Sequence, residues 1–368
     1  MHTTPAPEAR TTPPPRGATP PVVLWAWVGA LFVLLNVWIY GRWLAAGPEP
    51  ITRFRDASHS GLSLVNAIQV LFVVLTIAMV TVVGRQCLRQ RRLTLEAMVI
   101  IGFLSQCWTE QLFNYYRPGV LFNSNLINLS SIAPYIPGQV APYANLTALP
   151  VLYTFCSNTA AMPLVAFAGS WLTRKIRRDR PELAGTKLVI LLVVIYTALD
   201  LAFEIPLTHA GIYAYPSGWH TLTLFAGHYY QLPLFHLMLN VYWFGAYAML
   251  HAFRNDRGET LSERGAGRIR GKRTRWLVRQ LSIIAAFNLV SMVYFTTIQI
   301  EVMSAAKTPP LPSYLIAGWC GDQGQPYGPC PAPGVPIPTR ADGGDPPSPA
   351  QIYARFPYFT TPAGGGGR

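Results

Sequence analysis

Seven apolar runs punctuate the chain, at about 22–44, 62–84, 93–115, 150–172, 187–206, 221–252 and 276–300. Each approaches or exceeds the roughly 20 residues that an α-helix needs to cross about 30 Å of hydrocarbon. The pattern predicts an all-α fold, a polytopic membrane helix bundle of about seven transmembrane helices. The sixth run is too long for one untilted span, and Pro233 within it lacks the N–H that a continuous helix requires. Residues 221–232 are therefore expected to form a re-entrant or interfacial piece, with the helix proper following it.

The polar segments between the runs alternate in charge. Those at 85–92, 174–187 and 254–275 hold 4, 6 and 8 Lys or Arg, 18 of the 29 in the chain, whereas those at 42–61, 116–149 and 207–219 hold 3, 1 and 0. Cationic loops stay on the cytoplasmic side, so the alternation predicts a multi-pass protein of the cytoplasmic membrane, with its N-terminus cytoplasmic and its C-terminus outside. It also accounts for the formal charge of +13 without a nucleic-acid partner. With 51% hydrophobic and 12% charged residues, the composition falls well short of the roughly 25% charge of soluble domains. Three regions follow: a Pro- and Thr-rich tail over 1–21, expected to be disordered and cytoplasmic; a membrane domain over 22–301; and a Pro- and Gly-rich extracytoplasmic tail over 302–368. Cys320 and Cys330 lie in the second tail, on the side where disulfides persist; a bridge and two free thiols both fit.

Polar residues inside the apolar runs are not scattered. The rise of a helix, 1.5 Å per residue, carries Trp108, Glu110, Asn114 and Arg117 of the third run and Asp200 and Glu204 of the fifth to the outer leaflet. The sixth run descends through His228, Tyr230, Gln231 and His236, and the seventh ends in Gln299 and Glu301. Four runs thus bring polar groups to one level, as around a cavity open toward the outer interface. Intramembrane carboxylates are costly and usually serve function, and Asp200 and Glu204 stand one turn apart on one helix face. Asp200 also has a plainer reading, an ion pair with Arg117, and His236 reads as a packing histidine.

The pattern excludes several chemistries. No mid-span lysine offers a Schiff base, the histidines are too dispersed for a membrane di-iron site, and neither a phosphate-cradling Gly-rich loop nor a nucleophile elbow is present. A metal held by Asp200, Glu204 and His228 is a weaker alternative, and no metal or cofactor is required. Proton chemistry remains, because two carboxylates in a partly desolvated site divide the roles of proton donor and ionised stabiliser. A proton-coupled transporter and a lipid-binding or structural membrane protein are the competing classes; against transport, there is no internal repeat and no polar path through the inner leaflet.

The stretches "WTEQLFNYYRPGVLFNSNLINLSSIAPYIPG" (108–138), "DLAFEIPLTHAGIYAYP" (200–216), "FAGHYYQLPLFH" (225–236) and "YGPCPAPGVPIP" (327–338) resemble the AveC-type spirocyclase family of actinobacterial membrane proteins, over roughly residues 90–340. The resemblance implies spiroketal formation in polyketide biosynthesis, in which a dihydroxy ketone closes two rings on one carbon, in some cases with dehydration of the product. The residues themselves suggest the roles: Glu204 as general acid, Asp200 as the ionised stabiliser of an oxocarbenium, and Glu110 or His228 as proton relay. Arg117, Asn114, Trp108 and Gln231 are expected to hold the substrate, with Tyr213, Tyr215 and Tyr230 as cavity wall. The expected partner is an apolar, polyketide- or lipid-like small molecule drawn from the bilayer.

Overall fold

The computed structural model describes residues 19–48, 50, 62–115, 119–138, 148–255, 257–304, 309 and 311–316. Arg117, Cys320 and Cys330, and most of both tails, lie outside them, so the roles expected of those residues stay open.

The described chain is mainly helical: α1 (Pro21–Ala46), α2 (Leu62–Gln90), α3 (Leu95–Ser105), α4 (Val151–Cys156), α5 (Met162–Asp179), α6 (Thr186–His209), α7 (Leu234–Ala252), α8 (Lys272–Ser304) and α9 (Ser313–Ile316). A π-helical turn, Ser157–Ala161, joins α4 to α5 in one apolar helix. Five helices are long and apolar enough to cross a membrane: α1, α2, the joined α4–α5, α6 and α8.

Two of the seven expected spans take a different form. The run at 93–115 is α-helical for only 11 residues, opening where the Thr94 side chain accepts the Ala97 N–H. It then tightens into a 3₁₀ segment, Cys107–Asn114. The change falls where polar side chains compete for the carbonyls that would continue the helix: Ser105 Oγ donates to Gly102 O at 2.7 Å and Thr109 Oγ1 to Gln106 O at 2.6 Å. The run at 221–252 is helical only from Leu234, immediately after Pro233, as the missing N–H requires. Residues 220–233 instead form a short 3₁₀ turn and an antiparallel hairpin, β5 (Thr223–Leu224) with β6 (Leu232–Pro233).

α8 is the axis of the packing: 61% of its most apolar stretch is buried, against 17% for α2. It packs on α1, α3, α7 and the 3₁₀ segment. α1 meets α8 at Gly29, where a Cβ would stand 1.9 Å from the Leu281 carbonyl oxygen, so only glycine permits that approach. α6 lies at the periphery and packs on α7. Its buried residues, Leu188, Leu192, Tyr196, Asp200, Glu204 and Thr208, recur every fourth position and form one stripe. The outward side shows Leu199 and Phe203.

Four further short strands sit at the polar end of the bundle. β1 (Leu121–Phe122) pairs antiparallel with β4 (Tyr213–Ala214), placing Phe122 opposite Tyr213. β2 (Asn128–Ser130) pairs with β3 (Ala148–Pro150), which leads directly into α4. The first pair ties the segment after α6 to the segment between α3 and α4, and the second folds that latter segment back on itself.

Candidate active site

A cavity of about 100 Å³ lies where α6, α7, α8, the 3₁₀ segment and the α4–α5 helix converge. Aromatic rings make most of its wall, Tyr153, Tyr213, Tyr215, Trp243 and Tyr294 among them, and two carboxylates, Glu110 and Glu204, face it. Phe203 belongs to the same lining and is 42% exposed on the outward side of α6, so the cavity approaches the surface there.

Local geometry aims these side chains. Along the extended chain after α6, residues two apart share a face, so Tyr213 and Tyr215 both turn to the cavity. Ala214 between them packs against Tyr314 and Leu315. The Tyr215 hydroxyl donates to Glu204 Oε2 at 2.9 Å, and the Tyr213 hydroxyl stands beside the same carboxylate. Phe122, Tyr153 and Tyr213 form a triangle of rings with centroids 5.8–6.2 Å apart.

Glu110 reaches the cavity because the 3₁₀ turn, with three residues per turn instead of 3.6, redirects the chain after α3. Its carboxylate accepts from Asn158 Nδ2 and, at 3.2 Å, from Thr154 Oγ1. Asn158 lies in the π-helical turn, a distortion that recurs at functional sites. Its own amide is oriented from behind: Gln106 Nε2 donates to Asn158 Oδ1 at 3.1 Å, and Gln106 Oε1 accepts from the Tyr247 hydroxyl at 2.8 Å. Asp200, one turn before Glu204, is buried but is not part of the cavity lining. It accepts from Asn240 Nδ2 at 3.0 Å, and the Tyr294 hydroxyl donates to the oxygen of the same amide. Asn240 and Tyr294 do line the cavity, so Asp200 bears on it through them.

None of the three carboxylates meets a cation among the described residues, and no described Lys or Arg lines the cavity. All their donors are neutral. Buried charge is normally paired, so the site holds its carboxylates ready for a proton or a positively charged species.

Several expected residues fall elsewhere. His228 is exposed on the hairpin, its ring stacked on Tyr230 at 4.9 Å, with Tyr230 in turn stacked on His209 at 4.1 Å. Neither His228 nor Tyr230 lines the cavity, because the chain turns back through β5 and β6 instead of entering the bundle. A metal held by Asp200, Glu204 and His228 fails for the same reason, and among the described residues no cluster of three His, Cys, Asp or Glu is placed to hold one. Gln231 is buried, but its amide is occupied: Nε2 donates to Tyr215 O at 2.9 Å and Oε1 accepts from Gly227 N at 3.3 Å. It fixes the backbone of Tyr215. Asn114 Oδ1 accepts from the N–H groups of Gly119 and Val120, and Trp108 Nε1 donates to Asn288 Oδ1 at 2.8 Å. Both side chains brace the fold next to the site.

Tyr153, Asn158, Asn240 and Tyr294 were not singled out in the sequence, although each places a polar group inside an apolar run. His236 had read as packing. It is fully buried, and its Nδ1 lies 2.9 Å from Glu301 Oε2.

No curated protein and no solved structure matches the chain. A family model does: the model for AveC-like spirocyclases matches residues 90–315, a stretch that includes Glu110, Asp200, Glu204 and every residue that lines the cavity. The chain belongs to the AveC-like spirocyclase family.

Proposed function

We propose that the chain is a membrane-embedded, spirocyclase-like enzyme of the cytoplasmic membrane that closes rings by acid–base chemistry, with loss of water, on an apolar polyketide- or lipid-like substrate. The observation that carries this reading is the cavity itself, in which Glu110 and Glu204 face an aromatic wall with no described cation beside them.

Spiroketal closure needs an acid for the departing oxygen, a base for the attacking hydroxyl and relief for a transient oxocarbenium. Glu204 is the acid, oriented by the Tyr215 hydroxyl. Glu110, held by Asn158 and Thr154, supplies negative charge from a separate element. The ring faces of Trp243 and Tyr294, stacked at 5.3 Å, present π-density of the kind that attracts cations. Asp200 acts through Asn240. Phe203 marks the side from which an apolar substrate reaches the cavity.

The test is mass spectrometry of lipid extracts from cells carrying wild-type protein, no protein, or the Asp200→Asn/Glu204→Gln double variant at equal membrane level. A wild-type-dependent species lighter by one or two waters than a precursor accumulating in the other two strains is the expected result. If the double variant matches wild type while the deletion differs, the carboxylates are structural, and the binding or transport class replaces the enzymatic one.

A further inference from the structure

A second buried acid–base pair stands behind the tyrosine wall. Glu301 of α8 and His236 of α7 are both inaccessible to solvent, with Glu301 Oε2 2.9 Å from His236 Nδ1. Glu301 Oε1 also accepts the Trp219 backbone N–H at 3.3 Å. The other imidazole nitrogen, Nε2, is buried without a hydrogen-bond partner among the described residues. Leaving such an atom unsatisfied is costly, so a core that only needed packing would favour an apolar residue there.

The ring is in contact with two cavity-lining residues. Phe113 stacks on it with an interplanar angle of 4° and centroids 5.6 Å apart, and Tyr215 lies at 4.7 Å. Asn240, one helical turn along α7, lines the cavity. A carboxylate on Nδ1 fixes the tautomer that leaves Nε2 free to accept a proton, the arrangement by which an oriented base activates a hydroxyl.

We infer that His236, oriented by Glu301 and set one layer behind the cavity lining, is the base that takes the proton of the attacking hydroxyl through one water during ring closure in this cavity. The inference rests on the cyclase reading above. In the first closure Glu204 gives its proton to the carbonyl oxygen, the hydroxyl oxygen bonds to the carbonyl carbon, and the hydroxyl proton passes to His236 Nε2. That proton then returns to Glu204 by exchange through water, which restores both groups for the second closure. In the second closure Glu204 protonates the hemiketal hydroxyl, the C–O bond breaks and water leaves. The remaining hydroxyl then adds to the oxocarbenium, and its proton follows the same path. A dihydroxy ketone becomes a spiroketal and one water, and the protein ends as it began.

The experiment compares purified wild-type protein, His236→Asn and Glu301→Gln in detergent, with an alkyl-tailed dihydroxy ketone as probe and folding checked by gel filtration and thermal unfolding. A base contributes about 10²–10⁴-fold, so kcat falls at least about 100-fold in His236→Asn with KM unchanged. Glu301→Gln shows a smaller loss, again in kcat and not KM, and Glu301→Asp recovers part of it. Folded His236→Asn with wild-type kcat overturns the base role, and so does loss of folded protein in both variants, which assigns the pair to structure. A wild type that closes no ring ends the cyclase reading first, which distinguishes the two failures.

Discussion

Two groups of buried or half-buried carboxylates among the described residues differ in their partners. In the loop between α7 and α8, Glu263 accepts the Thr260 N–H at 3.0 Å and the Arg279 guanidinium at 2.7 Å. Glu259 accepts from Asn255 Nδ2 and from the N–H groups of Gly265 and Gly267. Backbone amides and a cation use up both acceptors, and the loop is thereby fixed against the start of α1, where Val22 N donates to Arg264 O. Around the cavity, Glu110, Asp200 and Glu204 meet only the hydroxyls and amides of neutral side chains. The contrast separates carboxylates whose acceptors are taken by backbone amides and a cation from carboxylates met only by neutral side chains, a distinction that burial alone does not make: Glu263 is at 0% exposure and Glu204 at 8%.

Glutamine substitution tests that contrast most severely at Glu204. Glu204→Gln keeps the shape and an acceptor for Tyr215 but removes the transferable proton, so turnover falls by about 10²–10⁴-fold while the thermal unfolding midpoint in detergent holds. A large drop in that midpoint with turnover retained would place Glu204 with the loop carboxylates.

The reverse holds at the loop. Arg279→Ala leaves Glu263 buried without its cation, which costs about 3–5 kcal/mol. Unfolding then moves to lower temperature, while turnover per folded molecule stays at the wild-type value. Gly29→Ala, which puts a methyl group against the Leu281 carbonyl, is a control without any charge; overpacking costs about 1–3 kcal/mol, and again only stability is expected to change.

Glu259 gives the smallest effect and one that depends on pH. Burial pushes its carboxyl up, but the hydrogen bonds from Asn255, Gly267 and Gly265 outweigh burial and hold it below the usual range. A carboxylate depressed in the folded state contributes stability that is present above its unfolded pKa and lost as pH falls through its folded pKa. Wild type is therefore more heat-stable than Glu259→Gln at neutral pH, and the gap closes on acidification below the ordinary glutamate range. A gap independent of pH would mean that the glutamine disturbs packing and not charge.

Much of the fold was legible because crossing a membrane is a matter of length and hydropathy, and five long apolar helices correspond to expected runs. Pro233 marked where α7 begins. The interruption of the third run was harder to read, since its cause is local competition by Ser105 and Thr109 for helix carbonyls within an apolar context. In the site, Asp200 and Glu204 were visible through their shared helix face, and Glu110, Tyr213 and Tyr215 as polar groups at the same level. Asn158, Asn240 and Tyr294 were not, because what distinguishes them is the residue each touches. The position of His228 outside the cavity lining was not legible, because its distance along the chain from Pro233 did not reveal that a hairpin carries it to the surface.

The sequence by itself determined the helical, membrane-compatible character of the chain, the alternation of cation-rich and cation-poor segments and the pairing of two carboxylates on α6, because each depends on spacing along one segment. Tertiary structure alone decided which carboxylates are neutralised and which face the cavity, and it joined His236 to Glu301 across 65 residues. Those outcomes depend on contacts between elements distant in sequence, and a side chain's chemistry is set by the donors, cations and rings that packing brings to it.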